Sequence, residues 1–470
     1  MVKPAQADSS NGRGDALLIA LFVMAGVWLR SLAVSKPPWV DECYSLVEAS
    51  TDMGKLAASD QAPFFYWYLG LGGTPSLLSA RIMVLALTSL NIVALMMLSR
   101  RWGRTSLVLT GMLSISLPFF LRYGTELRCY GALITFTALA LWSLDEFLER
   151  GGHRGWYALL LFSVVLCPLT HAVGVFVAVA VLVTLYFLCR TRGRSLPSFG
   201  LLIPLLVLPC LALLSWLLAF HMTEKVQHVG WISKPTPPYV AKELAGLILG
   251  TGRDGADSFG NPFVLVVGIS GVGILVAGAL LLPSRRESGA YLWGAFSYFL
   301  QILAVSICLR PVLIARTMVP MLPFLILFVA AGLGQRRQRI VVGCLTIFTV
   351  MSVVRWVVWE GKKEKEAWYA AVEQVMAVRS TEYPLYHNVR FQPIFDYYFS
   401  SRIKPEEVSH YAQGSRVSDF PHGNFELLLT PNRIRLIPEL WTALQSHYDM
   451  ELLYGDKIVL LYRCRYKKRL

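Results

Sequence analysis

Apolar runs of about twenty residues recur along this chain, and each is long enough to cross the hydrocarbon of a bilayer as a helix. Inside hydrocarbon every backbone N–H and C=O must be satisfied within the segment or by a closed barrel, so repeated runs of this length specify helices. The first is Ala16 to Val34. Others follow at Leu77 to Ser99, Ser106 to Leu121, Cys129 to Phe147, Tyr157 to Thr170 and Ala172 to Leu188. The later ones are Leu201 to Phe220, Pro262 to Leu282, Ala290 to Leu309, Val312 to Leu333 and Ile340 to Val358. They amount to about eleven spans. The balance of 55% hydrophobic against 16% charged residues excludes an ordinary soluble domain. The expected fold is mainly α, a polytopic transmembrane helical bundle, with a small C-terminal α/β domain on the outer face. The expected boundary puts the transmembrane domain at 1–360 and the second domain at 361–470.

The net charge of +14 could suggest nucleic acid. The basic residues lie instead in short loops between apolar runs, which argues for membrane topology and against a nucleic-acid partner. Arg100–Arg104, Arg150–Arg154, Arg190–Arg194, Arg285–Arg286 and Arg336–Arg339 fall on alternate sides of successive spans. With the N-terminus in the cytoplasm all five are cytoplasmic, as the positive-inside bias requires. The loop Ser35–Ser76, the loop Arg122–Arg128, the turn near His171, the loop His221–Asn261, the turn at Arg310-Pro311 and the tail are then extracytoplasmic. The first run has no typical cleavage site behind it and reads as a retained helix. The eight cysteines show no paired metal spacing and no disulfide framework.

In the tail, Lys362 to Val378 has apolar positions at helical spacing. Tyr383 to Asn388, Phe425 to Thr430 and Lys457 to Tyr462 read as strands, and Ile434 to His447 as a helix.

Five outer segments carry the residues with chemistry. Asp41 and Glu42 stand together just past the first span, at a depth where an acid is costly to hold dry. Either they serve a reaction, or Asp41 caps a short helix through Val47. The same loop holds Gln61-Ala-Pro-Phe-Phe-Tyr66-Trp-Tyr68, which suits a headgroup anchor as well as a substrate contact. The second outer loop is Arg122-Tyr-Gly-Thr-Glu126-Leu-Arg128-Cys-Tyr130. A helical backbone there would put Arg122, Glu126 and Tyr130 on one face, with a simple Arg122–Glu126 pair as the structural alternative. A guanidinium can hold phosphate with two hydrogen bonds at once, so Arg128 fits a phosphate-bearing substrate. His171 stands at an outer turn, where a local hydrogen bond would also explain it. Lys225, His228 and Trp231 lie in the third outer loop. Arg316, close to Pro320 and Pro323, suggests a broken helix lining a cavity, or a side chain reaching for headgroups.

Taken in order, Asp41-Glu42, Ala-Pro-Phe-Phe-Tyr66-Trp-Tyr, Tyr123-Gly-Thr-Glu126-Leu-Arg128-Cys-Tyr130, Leu-Thr-His171 and Arg316…Pro320…Pro323 resemble the GT-C superfamily of integral-membrane glycosyltransferases. The branches most similar are the protein O-mannosyltransferases, the aminoarabinose transferases and the lipopolysaccharide-core transferases. The resemblance runs over about Ala16 to His171. It implies a membrane enzyme that moves a sugar from a polyprenyl-phosphate donor to an extracytoplasmic lipid, glycan or protein, with inversion. It implies catalytic roles for Asp41, Glu42 and Glu126, and substrate or phosphate contacts from Arg128, Tyr130, Tyr66, His171 and Arg316. Many relatives carry His, or Glu-Lys, ahead of the loop proline, where this chain has Gln61-Ala62, and some carry Arg where it has Tyr44. The metal ligands are therefore unknown, and a divalent cofactor stays open. A polytopic transporter or flippase for a lipid-linked or small solute is the rival expectation, and it would need the repeats that such transporters carry.

Overall fold

The structure is a computed structural model that describes residues 12–51, 62–219, 232–249, 286–332, 338–360, 368–388, 392–399, 402–403, 407–411, 416–421, 423–429, 438–455 and 459–467. The chain divides into two compact units. One comprises Met1–Lys36 and Glu48–Lys362, the other Pro37–Val47 and Lys363–Leu470.

The helices up to the first long loop are α1 (Gly12–Ser31), α2 (Val40–Ala49), α3 (Pro63–Leu69), α4 (Leu77–Ser99), α5 (Arg104–Ser116), α6 (Pro118–Arg122), α7 (Tyr130–Glu149), α8 (Arg154–Thr170), α9 (Val175–Arg192) and α10 (Phe199–Ala219). Beyond it come α11 (Pro237–Leu249), α12 (Arg286–Cys308), α13 (Met321–Gly332) and α14 (Gln338–Arg355). Six described segments, among them α1, α7 and α10, are long and apolar enough to cross a membrane, as expected of a multi-pass membrane protein. Three shorter apolar helices accompany them, Arg154–Thr170, Met321–Gly332 and Leu345–Val358. The expected span Pro262 to Leu282 lies outside the described residues.

Two expected spans are broken, each for a visible reason. Ser106 to Leu121 divides into α5 and α6 because Leu117 is extended (φ −61°, ψ 125°) ahead of Pro118. A residue before proline is pushed out of the helical region, and proline then opens the next helix at no cost in hydrogen bonds. Val312 to Leu333 starts with extended chain at Ile314 (φ −142°, ψ 158°), makes one 3-10 turn over Ala315–Met318, and becomes helical only at Met321.

Burial ranks the helices. In α7, 83% of the apolar window is inside, whereas in α1 and α10 the shares are 11% and 17%. The first is a bundle centre and the other two turn apolar side chains outward, as a lipid-facing helix does. α7 packs on α8 and α4, α9 on α12, and α12 on α13.

The C-terminal ends of α7 and α9 and the N-terminal end of α12 meet in a network of charges. Arg192 reaches Asp145 at 2.7 Å, Glu149 at 3.1 Å and Glu287 at 3.0 Å. Arg101 pairs with Asp145 and, at 2.8 Å, with Glu149. The Trp102 indole donates to Glu287 at 3.1 Å. Gly193, in the left-handed region at φ +63°, ends α9, and its neighbour Arg194 donates its N–H back to Cys189 O at 2.8 Å. Four of the basic clusters seen in the sequence, through Arg101, Arg150, Arg192 and the helix that starts at Arg286, therefore lie at one end of the bundle. Asp145, with only 5% of its side chain exposed, serves two arginines. An Asp145→Asn protein keeps the shape but loses the charge, and is expected to lose about 2 kcal/mol of stability, the scale of a hydrogen bond to a charged group. Its melting temperature in detergent, compared with the parent, measures this.

The second unit holds α15 (Trp368–Val378), α16 (Gln392–Tyr398), α17 (Pro438–His447) and a five-stranded sheet. The strands are β1 (Leu385–Asn388), β2 (Val408–Tyr411), β3 (Phe425–Leu429), β4 (Tyr448–Gly455) and β5 (Leu460–Tyr466), in the order β2-β1-β3-β5-β4. β1 is parallel to β2 and β3, with Leu385 opposite Val408 and Glu426. β5 runs antiparallel to β3 and β4. The parallel half needs crossovers, and α16 lies in the one from β1 to β2. Alternation in β3 gives the sheet two apolar faces. Phe425, Leu427 and Leu429 pack with Leu444, Tyr448 and Cys464, while Leu428 joins Leu385, Leu461, Phe395 and the inner edge of α15. That edge is Trp368, Ala371, Val372 and Val375, the i, i+3, i+4, i+7 stripe visible in the sequence.

Candidate functional site

The loop between α6 and α7 builds the site in the first unit. The sequence allows a continuous helix there; the structure makes turns from Tyr123 to Cys129 instead. Tyr130 therefore does not share a helix face with Arg122 and Glu126. One closed turn survives, with Glu126 N–H donating to Arg122 O at 3.3 Å, and it brings the Arg122 Nε to 3.0 Å from the Glu126 carboxylate. Glu126 is therefore engaged by an arginine on its own turn, as the structural alternative required.

What seats this loop is a buried cation. Arg30, at the end of α1, is wholly buried and donates to Thr88 O at 2.9 Å, Asn91 Oδ1 at 3.4 Å and Ser114 O at 3.4 Å. Thr88 Oγ1 in turn donates to Gly124 O at 3.0 Å. A Cβ on Gly124 would come within 2.3 Å of the Arg30 stem, so only glycine lets the loop lie this close.

Tyr130, the first residue of α7, gathers the remaining groups. The His171 ring stands 5.3 Å from its ring, and Tyr123 stands 5.0 Å away and stacks on Phe119. The guanidinium carbons of Arg128 and Arg316 each lie 6.0 Å from its centroid. The two cations come from loops nearly two hundred residues apart in sequence and share one tyrosine ring. Cations over an aromatic face gain about 0.5–2 kcal/mol. Arg316 sits on the 3-10 turn of Ala315–Met318. Thr317 O accepts a hydrogen bond from Tyr298 at 2.9 Å, and Thr317 Oγ1 donates to Val312 O at 2.7 Å. Of the five residues to which the resemblance gives substrate contacts, Arg128, His171 and Arg316 lie around the ring of a fourth, Tyr130.

His171 is held by its own backbone. Its Nδ1 accepts the Val173 N–H at 3.3 Å, which leaves the proton of the neutral ring on Nε2. Loss of water, then the charges of Arg128 and Arg316, pull its pKa down from 6.5 to about 3. Because the folded value lies below the unfolded one, folding favours the neutral ring. Stability is therefore complete above pH 6.5 and falls as pH drops from there toward about 3. In a His171→Asn protein, which keeps an acceptor for Val173, the drop in melting temperature between pH 7 and pH 5 is expected to shrink. Thermal unfolding in detergent at the two pH values reads it.

Glu243 is a residue the sequence did not point to. It lies on α11, inside the third outer loop, where no helix was expected. Its carboxylate accepts the Ala315 N–H at 2.6 Å, next to Arg316, and the Tyr239 hydroxyl of the same helix donates to Leu313 O at 3.1 Å. Burial pushes the Glu243 pKa up, against the pull of the Ala315 N–H, Lys242 and Arg316. The signal available was Pro237-Pro238 ahead of an apolar-periodic stretch, since proline opens helices. Lys225, His228, Trp231 and Gln61 lie outside the described residues. Tyr66 is 1% exposed in α3, its ring edge-on to Phe65. Ala62, at the start of α3, packs with Ala172, the neighbour of His171.

Asp41 and Glu42 belong to the second unit. Asp41 is half-buried in the first turn of α2. Glu42 is 2% exposed and accepts the Trp39 N–H at 3.4 Å, reaching back over the helix start as the third residue of a capping box does. The sequence offered Asp41 as the cap; the back-bond is made by Glu42. Among the described residues no cluster of three or more His, Cys, Asp or Glu is arranged to hold a metal ion.

No protein-family signature matches the sequence, and no curated protein matches it. Solved structures do. The crystal structure of ArnT from Cupriavidus metallidurans bound to undecaprenyl phosphate is 16% identical, with a TM-score of 0.56, over 97% of this chain and 98% of that one. Its apo form is 15% identical, with a TM-score of 0.58 and the same coverage. The apo oligosaccharyltransferase of Archaeoglobus fulgidus is 12% identical, with a TM-score of 0.51, over 97% of this chain and 75% of that one. At these identities the likeness is one of fold.

Proposed function

We propose that this chain, which has the GT-C fold of those glycosyltransferases, transfers a sugar from a polyprenyl-phosphate donor to an extracytoplasmic acceptor. The observation that carries the reading is the pair of guanidiniums, Arg128 and Arg316, each 6.0 Å from the Tyr130 ring. Both guanidiniums stand beside one aromatic ring, and a guanidinium can give a phosphate two hydrogen bonds at once. The similar ArnT structure with undecaprenyl phosphate bound supports a lipid phosphate as the anion they hold.

The reaction is a single displacement. An acceptor oxygen bonds to the anomeric carbon as the bond from that carbon to the phosphate oxygen breaks, and configuration inverts. Asp41 takes the acceptor's proton. The lipid phosphate leaves as an anion and needs charge more than a proton, so Arg128 and Arg316 stabilise the departing oxygen. Tyr130 and His171 set the wall against which the arginines lie. His171, kept neutral, presents Nε2–H as a donor and carries no proton between groups. Glu42 and Glu126 are each already engaged, by the helix start and by Arg122, and each holds the backbone of its own segment.

The positive-inside bias gives the direction. Arg101, Arg150, Arg192 and Arg194 mark the cytoplasmic end of the bundle, and the loop that carries Arg128 lies about 30 Å away, at the other end of the twenty-residue α7. The test is purified protein in nanodiscs, given radiolabelled polyprenyl-phosphate hexoses and pentoses together with membrane lipid, glycan and protein acceptors. Label moving to an acceptor supports the reading. Label crossing the bilayer on its carrier, without transfer, would show a flippase instead.

A further inference from the structure

The start of the first outer loop, Pro37–Val47, belongs to the second unit, whose other residues lie hundreds of positions away in sequence. Cys43 is 2% exposed and sits in one apolar cluster with Trp368, Val372, Leu385, Phe395 and Phe399. Val40 packs against the same cluster. The Tyr398 hydroxyl, on α16, donates to Pro38 O just ahead of α2. The Tyr398 ring is itself fixed, lying 5.9 Å from Trp368 in a stacked arrangement and 5.1 Å from Tyr369 edge-on. Asp41 therefore stands between two anchors. Pro38 lies three residues before it and Cys43 two after, and both are held by the tail.

From this we infer that the C-terminal domain is the mount of the acid: Tyr398 and the pocket around Cys43 are positioning elements that set where the Asp41 carboxylate stands. The proposal rests on the assignment of Asp41 as the base. A ten-residue helix on its own is marginal in water, so α2 and its direction depend on what it packs against. The side chains that fix it belong to α15, α16 and β1. Without the domain the acid has no fixed orientation.

Tyr398→Phe keeps the aromatic packing and removes only the bond to Pro38. The readouts are the rate at which a membrane-impermeant maleimide labels Cys43 in the full-length protein, followed by mass spectrometry, and the kinetics of transfer. Cys43 is expected to label about tenfold faster than in the parent, as the segment opens more often. The kcat is expected to fall about tenfold with the donor KM unchanged, since a base misplaced by a fraction of an ångström costs rate and not donor affinity. Trp368→Leu, which loosens the same pocket while leaving the Pro38 bond, is expected to shift both in the same direction. Unchanged Cys43 labelling in both variants overturns the proposal. So does faster labelling with an unaltered kcat, because the segment would then be held for a purpose other than the reaction. An Asp41→Asn protein that turns over normally overturns the base assignment instead. The labelling arm, which needs no turnover, separates that failure from the other.

Discussion

In an Asp41→Asn protein, sugar transfer falls about a thousandfold while the lipid donor still binds. Removing a general base costs about 10²–10⁴ in rate. The amide is nearly isosteric with the acid, and it keeps an oxygen and a half-buried place in the first turn of α2. What it cannot do is accept the acceptor hydroxyl's proton. Donor binding is expected to survive because the proposed reaction gives the phosphate to Arg128 and Arg316. The neighbouring carboxylate makes the control. Glu42 lies beside Asp41 in sequence, yet its side chain turns back to the Trp39 N–H. Glu42→Gln retains an acceptor for that N–H and is expected to transfer at close to the parent rate. Glu42→Ala loses it and should cost about 1 kcal/mol of stability, as a lost helix cap does, with little direct effect on chemistry. Label transfer for rate, and equilibrium binding of radiolabelled polyprenyl phosphate for affinity, distinguish the two acids. A normal rate in Asp41→Asn would remove the base from the scheme.

Loss of the paired guanidiniums is expected to be as severe, with a different signature. Arg128→Ala and Arg316→Ala each lower kcat/KM by about a hundredfold, the scale of removing one preorganised donor from a developing anion. The double variant falls by more than either, though by less than the product. In the proposed reaction the two cations act on one phosphate, and groups that act as a unit are not additive. Donor affinity and kcat should both drop, because the phosphate is anionic before the reaction and becomes more so during it. Lysine at either position restores charge but not the planar fork, so Arg316→Lys is expected to recover only part of the loss. The measurement is the donor-concentration dependence of transfer at fixed salt, with donor binding scored in parallel. Parent-like donor binding in the double variant would show that the lipid phosphate is held elsewhere.

Much of the bundle was readable from apolar length alone. Leu77 to Ser99 reads from the sequence as a span with the same limits it has in the structure. Spans broke from their expected limits where a local rule competed with hydropathy. Pro118 divides one, and the extended Ile314 delays another. Arg128, Tyr130, His171 and Arg316 were each singled out in the sequence, but their meeting at the Tyr130 ring joins segments nearly two hundred residues apart, which no local pattern encodes. Glu243 was not legible, because α11 hides in a segment whose length reads as loop. In the tail, α15 announced itself through Trp368, Ala371, Val372 and Val375. β4 did not, because its exposed edge carries Asp449 and Glu451 amid apolar residues and breaks register between Leu452 and Tyr454. Least legible was the packing of Cys43 and Pro38 with the tail, a contact spanning 360 residues between Pro38 and Tyr398. Local periodicity holds no information about such a pairing.

That long reach has a consequence for how the protein comes into being. A ribosome delivers Pro38 and Cys43 early, and Trp368, Leu385 and Tyr398 only after the spans have been threaded into the bilayer. Closing so wide a loop comes late, because its entropy is lost before any contact compensates it. The segment that carries Asp41 is thus among the last parts of the second unit to be seated.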